Sequence, residues 1–87
     1  MIDKRVEVNG RPIVIPFGNL RNACAKHQLK ARLYLFDGGE TVEITDEPMG
    51  RQIARITAEH GDPGTASEQA AKWLMEHNYL TVFDFEG

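Results

Sequence analysis

The stretch RLYLFDGGETVEIT, residues 32–45, decides how the chain is read. On either side of its glycine pair, Leu33, Leu35, Val42 and Ile44 alternate with Arg32, Tyr34, Phe36, Thr41, Glu43 and Thr45. Successive side chains of a strand point to opposite faces, so this period of two marks a half-buried hairpin. With Gly38-Gly39 as the central pair between Asp37 and Glu40, Leu35 stands opposite Val42 and Leu33 opposite Ile44. The four aliphatic residues then share the core face. Tyr34 and Phe36 fall on the other face with Arg32.

Toward the N-terminus, Pro16 ends a strand and residues 17–30 read as a helix. Its inward stripe is Phe17, Leu20, Cys24 and Ala31, flanked by Ala23 and His27, while Asn22, Lys26 and Lys30 lie outward at i, i+4 and i+8. Before it, Asn9-Gly10 fits the centre of a type I′ hairpin turn, pairing Val8 with Arg11 and Val6 with Ile13. That register groups Val6, Val8, Ile13 and Ile15 on one face against Arg5, Glu7 and Val14. Pro12, lacking an N–H, places its strand at a sheet edge.

Toward the C-terminus, Glu47-Pro48 puts an acid and a proline where a first helical turn favours them. Met49, Ile53 and Ile56 follow at helical spacing, and Gly61-Asp62-Pro63-Gly64 stops this second helix. Thr65 and Glu68 form a capping box for a third helix running to about His77, which buries Ala66, Ala70, Trp73 and Leu74. Asn78 supplies a left-handed stop. In residues 79–85, Tyr79, Thr81, Phe83 and Phe85 alternate with Leu80 and Val82 as a final strand. The expected fold is a single α+β domain over residues 1–87, in the order ββα-ββα-α-β, a mostly antiparallel sheet packed by three helices. A hairpin-plus-helix unit then occurs twice.

A chain of 87 residues has one core and no room for a deep substrate chamber. Its 41% hydrophobic and 26% charged content sets it apart from disordered and fibrous classes. Cys24 is the only cysteine, so no internal disulfide forms. With no apolar leader at the N-terminus and no apolar run near the roughly 18 residues of a membrane span, a reducing cytoplasm is the expected compartment.

Chemical motifs are sparse. There is no glycine-rich phosphate loop, nucleophile elbow or zinc-ligand spacing, so no catalytic, cofactor-binding or metal-binding residue is assigned. Cys24 and His27, at i and i+3, have the spacing of a thiolate–imidazolium pair, the basis of a hydrolase or transferase reading in which His60 is a further candidate. The sulfur, however, sits mid-helix on the apolar stripe, the setting of an inert core cysteine. The dipeptides Glu59-His60 and Glu76-His77 end two antiparallel helices, so their ligands point to opposite poles instead of converging on one metal. Histidines there suit dipole and carbonyl capping. Read as a helix-turn-helix, the last two helices would offer a polyanion Glu68, Glu76 and only Lys72, a repulsive surface.

Charge is sorted along the chain: residues 1–36 carry seven basic against two acidic groups, residues 37–87 three against eleven, and the net charge of −3 conceals it. Such fields steer association. The leading expectation is therefore a small non-enzymatic protein-binding module, an inhibitor, adaptor or antitoxin-like factor. It docks through an acidic face of Glu40, Glu43, Asp46 and Glu47. Its partner is another protein, including a nucleic-acid-binding one for which that face mimics a polyanion, as in phage or bacterial inhibitors. The alternative is a nucleic-acid-binding module using Arg21, Lys26, Lys30, Arg32, Tyr34 and Phe36, since basic groups interleaved with aromatics neutralise phosphates and stack bases.

Overall fold

The computed structural model describes residues 7–8, 11–12 and 15–85. Strands β1 (Glu7–Val8) and β2 (Arg11–Pro12) pair Val8 with Arg11, the expected register. The pairing of Val6 with Ile13, and the inward set that depends on it, lies outside the described residues. Helix α1 (Phe17–Ala25) follows, then strands β3 (Leu29–Phe36), β4 (Gly39–Asp46) and β5 (Gln52–Glu59), helix α2 (Ala66–Glu76) and a 3-10 turn, Val82–Phe85. The three longer strands form an antiparallel meander in the order β3-β4-β5, and β1-β2 is a separate ribbon. The α+β class holds. The described order is ββαβββα with two α-helices; it differs from ββα-ββα-α-β at two elements, and one helix end and one turn are displaced besides.

Helix α1 is shorter than residues 17–30. Gln28 adopts φ of +59° and reverses the chain, so Leu29 already begins β3 and Ala31 is buried as a strand residue instead of a helical one. No glycine, proline or asparagine announces that reversal.

The hairpin turns at Asp37-Gly38, not Gly38-Gly39. Gly38 takes the left-handed φ of +101° and Phe36 pairs with Gly39. Leu33 therefore faces Val42, Ala31 faces Ile44, and Leu35 faces Glu40. Because the slip is one residue on each strand, every side chain keeps its expected face. Leu35, however, ends beyond the core and is 76% exposed.

The segment expected as the second helix is a loop and a strand. Glu47, Pro48, Met49 and Gly50 make a hairpin loop closed by the Asp46 amide on the Arg51 carbonyl (2.9 Å), the Gly50 amide on the Asp46 carbonyl (2.7 Å) and the Arg51 amide on Asp46 Oδ1 (2.8 Å). In β5 the inward residues are Ala54, Ile56 and Ala58, and Arg55 pairs with outward Glu43. The register with β4 shifts between Ile44 and Thr45, which makes Ile53 the extra residue of a bulge. Ile53 and Ile56 both pack on the core because of it, and their spacing of three imitates a helix. The repeated hairpin-plus-helix unit and the pair of antiparallel helices ending at His60 and His77 are thereby lost.

Finally, residues 79–85 curl instead of extending. Asp84 Oδ2 accepts from the Thr81 amide (2.7 Å) while the Asp84 amide donates to the Thr81 carbonyl (3.1 Å). Such side-chain bonds to nearby backbone compete with strand formation.

Other expectations stand. Thr65 Oγ1 accepts from the Glu68 amide and Glu68 Oε1 from the Thr65 amide, a complete capping box, and Asn78 has φ of +64°. Both helices cover one face of the sheet, α1 against β3 and α2 against β5 and β4. Between them lie fully buried Leu20, Cys24, Val42, Ile44 and Leu74. The α2 side is built from small residues, with Ala66, Ala70 and Ala71 on the helix and Ala54 and Ala58 on β5 all buried. No helix among the described residues is long and apolar enough to cross a membrane.

Candidate binding surface

Two helices lie on one face of the sheet, and among the described residues no element covers the other, open face. Along β3 that face carries Lys30, Arg32, Tyr34 and Phe36, spaced two residues or about 7 Å apart. Lys30 and Arg32 are exposed, Tyr34 is 44% exposed and Phe36 46%. Phe36 lies against its cross-strand partner Gly39: a Cβ built there would come within 2.9 Å of the ring and run into the Ala58 carbonyl. The missing side chain of Gly39 is thus what seats the ring. Next to Tyr34, Thr41 Oγ1 and Thr57 Oγ1 share a hydrogen bond of 2.9 Å between β4 and β5. In the middle, Arg55 Nη1 donates to Glu43 Oε2 (3.2 Å), and Arg32 Nη1 stands 4.0 Å from Glu43 Oε1. Glu43 serves two guanidinium groups and Glu59 lies on the same face beside Gly39, so Lys30, Arg32 and Arg55 leave the patch one positive charge in excess.

The other residues of the basic set are elsewhere. Arg21 is exposed on α1, in the opposite layer. Lys26 Nζ donates to the Asp84 carbonyl (2.8 Å) at the end of α1. Four of the six basic and aromatic candidates therefore converge, and two do not.

The acidic set is dispersed. Glu40 Oε1 accepts from the Ala66 amide (3.1 Å), complementing the positive end of α2. Glu43 is on the open face between its two arginines, Asp46 holds the Arg51 amide, and Glu47 is exposed in the loop. Glu68 acts structurally as well: buried, it accepts from the Thr65 amide through Oε1 and from the Ile15 amide (3.1 Å) through Oε2, joining the entry of α1 to the start of α2.

Cys24 and His27 do not act on one another. Burial, with a smaller contribution from the Asp84 charge, pushes the Cys24 thiol up to about 12, so it is protonated at neutral pH and lacks the thiolate that nucleophilic attack requires. His27 turns instead to the C-terminal segment, its Nε2 donating to Asp84 Oδ1 at 2.9 Å. The Thr81 amide bond first and the His27 bond second hold the Asp84 carboxyl below the usual carboxylate range. Beside this junction is a half-open cleft of about 550 Å³ whose lining includes His27, Asp46 and Arg51. His27 is bonded to Asp84, and Arg51 Nε lies 3.6 Å from Asp46 Oδ2, so these groups are engaged within the chain.

His60 is exposed in the turn after β5, its amide bonded to the Gly38 carbonyl. His77 Nδ1 donates to the Trp73 carbonyl (2.8 Å), the carbonyl capping expected of it. Its ring stacks on Trp73 at 3.9 Å, and Tyr79 stacks on Trp73 at 5.9 Å. The i, i+4 spacing of Trp73 and His77 was a legible signal for that stack. Arg55 and Thr57 were missed on the open face because the helical reading of their segment scattered them, although Arg55, Thr57 and Glu59 do alternate with Ala54, Ile56 and Ala58. Among the described residues no three side chains are grouped to hold a metal ion. No protein-family model matches the chain, and neither a curated protein nor a solved structure resembles it closely enough to count as a match.

Proposed function

We propose that the chain is a binding module that takes single-stranded nucleic acid on the open face of its sheet. The observation that carries this reading is the row Lys30, Arg32, Tyr34 and Phe36 on one strand face that no described element covers, with both rings nearly half exposed. Aromatic rings give sequence-tolerant platforms for bases, and flanking cations track the phosphates. Charge-steered docking on a protein through Glu40, Glu43, Asp46 and Glu47 has less geometry behind it, because three of those carboxylates already serve backbone amides or arginines of the same chain.

The net charge of −3 sets the character of the interaction. Long-range attraction is absent, so stacking supplies most of the affinity. With two phosphates met by Lys30 and Arg32, the logarithmic salt slope is about −1.4, at roughly −0.7 for each phosphate of a single strand. A titration of short single-stranded DNA and RNA by fluorescence anisotropy at two salt concentrations checks it. Tyr34→Ala should weaken binding by about 1–3 kcal/mol, as loss of a base platform does, and Lys30→Ala should flatten the slope by about 0.7. Absence of saturable binding, or binding that Tyr34→Ala and Phe36→Ala leave unchanged, would overturn the reading.

A further inference from the structure

We infer that the free edge of β3 pairs antiparallel with the β3 edge of a second copy, joining two three-stranded sheets into one of six strands. The pairing rests on the strand edge and stands without the nucleic-acid reading, although it brings the same side chains, Lys30, Arg32, Tyr34 and Phe36, together across its two-fold axis.

The two edges of the sheet are built differently. β5 carries a bulge at Ile53 and the charges of Arg55 and Glu59, features that discourage edge-to-edge pairing. β3 has no bulge, and its charges, Lys30 and Arg32, are confined to its first half. Its pairing with β4 runs without a shift from Leu29 to Phe36, so the strand is regular, and among the described residues its outer side meets no other strand. Its last three residues, Tyr34, Leu35 and Phe36, are all exposed and apolar or aromatic. A regular, apolar, unpaired edge presents a row of backbone donors and acceptors that an extended partner can complete.

The side chains select a second copy as that partner, and they select the register. In a two-fold antiparallel pair that keeps the faces of both sheets aligned, a residue of β3 sits on the axis. With Leu33 there, Lys30 stands opposite Phe36 of the other copy, Arg32 opposite Tyr34, and Ala31 opposite Leu35. Each cation on the open face then meets an aromatic ring, the arrangement of a cation–π contact, and the exposed Leu35 side chain gains an apolar neighbour. Centring on Arg32 would set that residue against itself, and centring on Ala31 would oppose Lys30 to Arg32, both destabilising like-charge pairs. Centring on Tyr34 avoids like charges but pairs fewer residues of the strand and sets Ala31 against Asp37.

Sedimentation equilibrium of the full chain, from low to high micromolar concentration, tests the pairing. The wild type should approach twice its mass of 9.8 kDa. Leu35→Lys, at a position whose exposure makes it tolerant in the folded monomer, should hold the chain at the single mass with an unchanged circular dichroism spectrum. Gln52→Lys on the opposite edge should leave the dimer intact. Under mild oxidation Leu33→Cys should give a disulfide-linked dimer, since directly opposed residues are within disulfide reach, and Tyr34→Cys should not. A wild type of single mass throughout, or a dimer that survives Leu35→Lys and dissociates with Gln52→Lys, would overturn the inference, and cross-linking of Tyr34→Cys in place of Leu33→Cys would overturn the register.

Discussion

The two sides of the sheet's helical layer are held by different means. On the α2 side, alanines from helix and strand bring α2 close to β5, and the helix start is fixed by the Thr65–Glu68 capping box, by Glu40 on the Ala66 amide and by the Ile15 amide on Glu68. On the α1 side, Pro16 provides no side-chain cap, α1 lacks a basic last turn, and its C-terminal end is tied to the chain terminus by exposed bonds from Lys26 and His27 to Asp84. Close packing with buried and half-buried bonds is costly to disturb, whereas surface bonds exchange with water at little cost. Four substitutions probe that difference.

The largest effect should come from the alanine seam. Ala58 is buried on β5, where α2 packs. Ala58→Leu would add bulk to a closely packed contact, and overpacking of this kind costs about 1–3 kcal/mol. Urea denaturation reads the loss directly. A change of less than about 0.5 kcal/mol, usual for surface sites, would mean that the helix can move off the strand freely and that the two sides are alike.

Next is the cap. Thr65→Ala removes the acceptor for the Glu68 amide and should cost about 0.5–2 kcal/mol. It should do so without altering ligand binding on the open face, which lies on the other side of the sheet. Pro16→Ala at the start of α1 removes no side-chain cap, because none is made there. Equal destabilisation by the two substitutions, measured by thermal unfolding, would erase the asymmetry between the helices.

The same difference explains how much could be read in advance. The capping box, the Asn78 stop, the Val8–Arg11 pairing and the division of β3 and β4 into two faces were legible, since each depends on neighbours within a few residues or on a simple period. The Gly38-Gly39 turn was assigned one residue late because Asp-Gly and Gly-Gly both suit a tight turn. β5 was read as a helix for a physical reason too: a bulge, invisible without its partner strand, brings Ile53 and Ile56 to one side. The early reversal at Gln28 carries no glycine, proline or asparagine signal, and the curl around Asp84 rests on a short-range Thr81–Asp84 bond that the alternation of residues 79–85 masked. For the site, the basic–aromatic row on β3 followed from the period of two. The dispersal of Glu40, Glu43, Asp46 and Glu47 did not, because only the packed fold shows which amide or guanidinium each carboxylate meets.

The smallest effect should appear as a pH dependence on the α1 side. The carboxyl of Asp84 is held below its ordinary range by the Thr81 amide and the His27 imidazole. A carboxyl with a lowered native pKa binds its proton more readily in the unfolded chain, so stability rises with pH through that window. Its contribution is complete above the ordinary carboxyl pKa of about 4, and it disappears as pH falls through the lower native value. Asp84→Asn removes that ionisation, so the variant should lose some stability at neutral pH and show a shallower decline in acid than the wild type. Because water screens these exposed bonds, the difference should be smaller than that of either α2-side substitution. Urea midpoints measured from neutral pH down into the acid range give the comparison, and parallel curves for wild type and variant would mean that Asp84 does not fasten the end of α1.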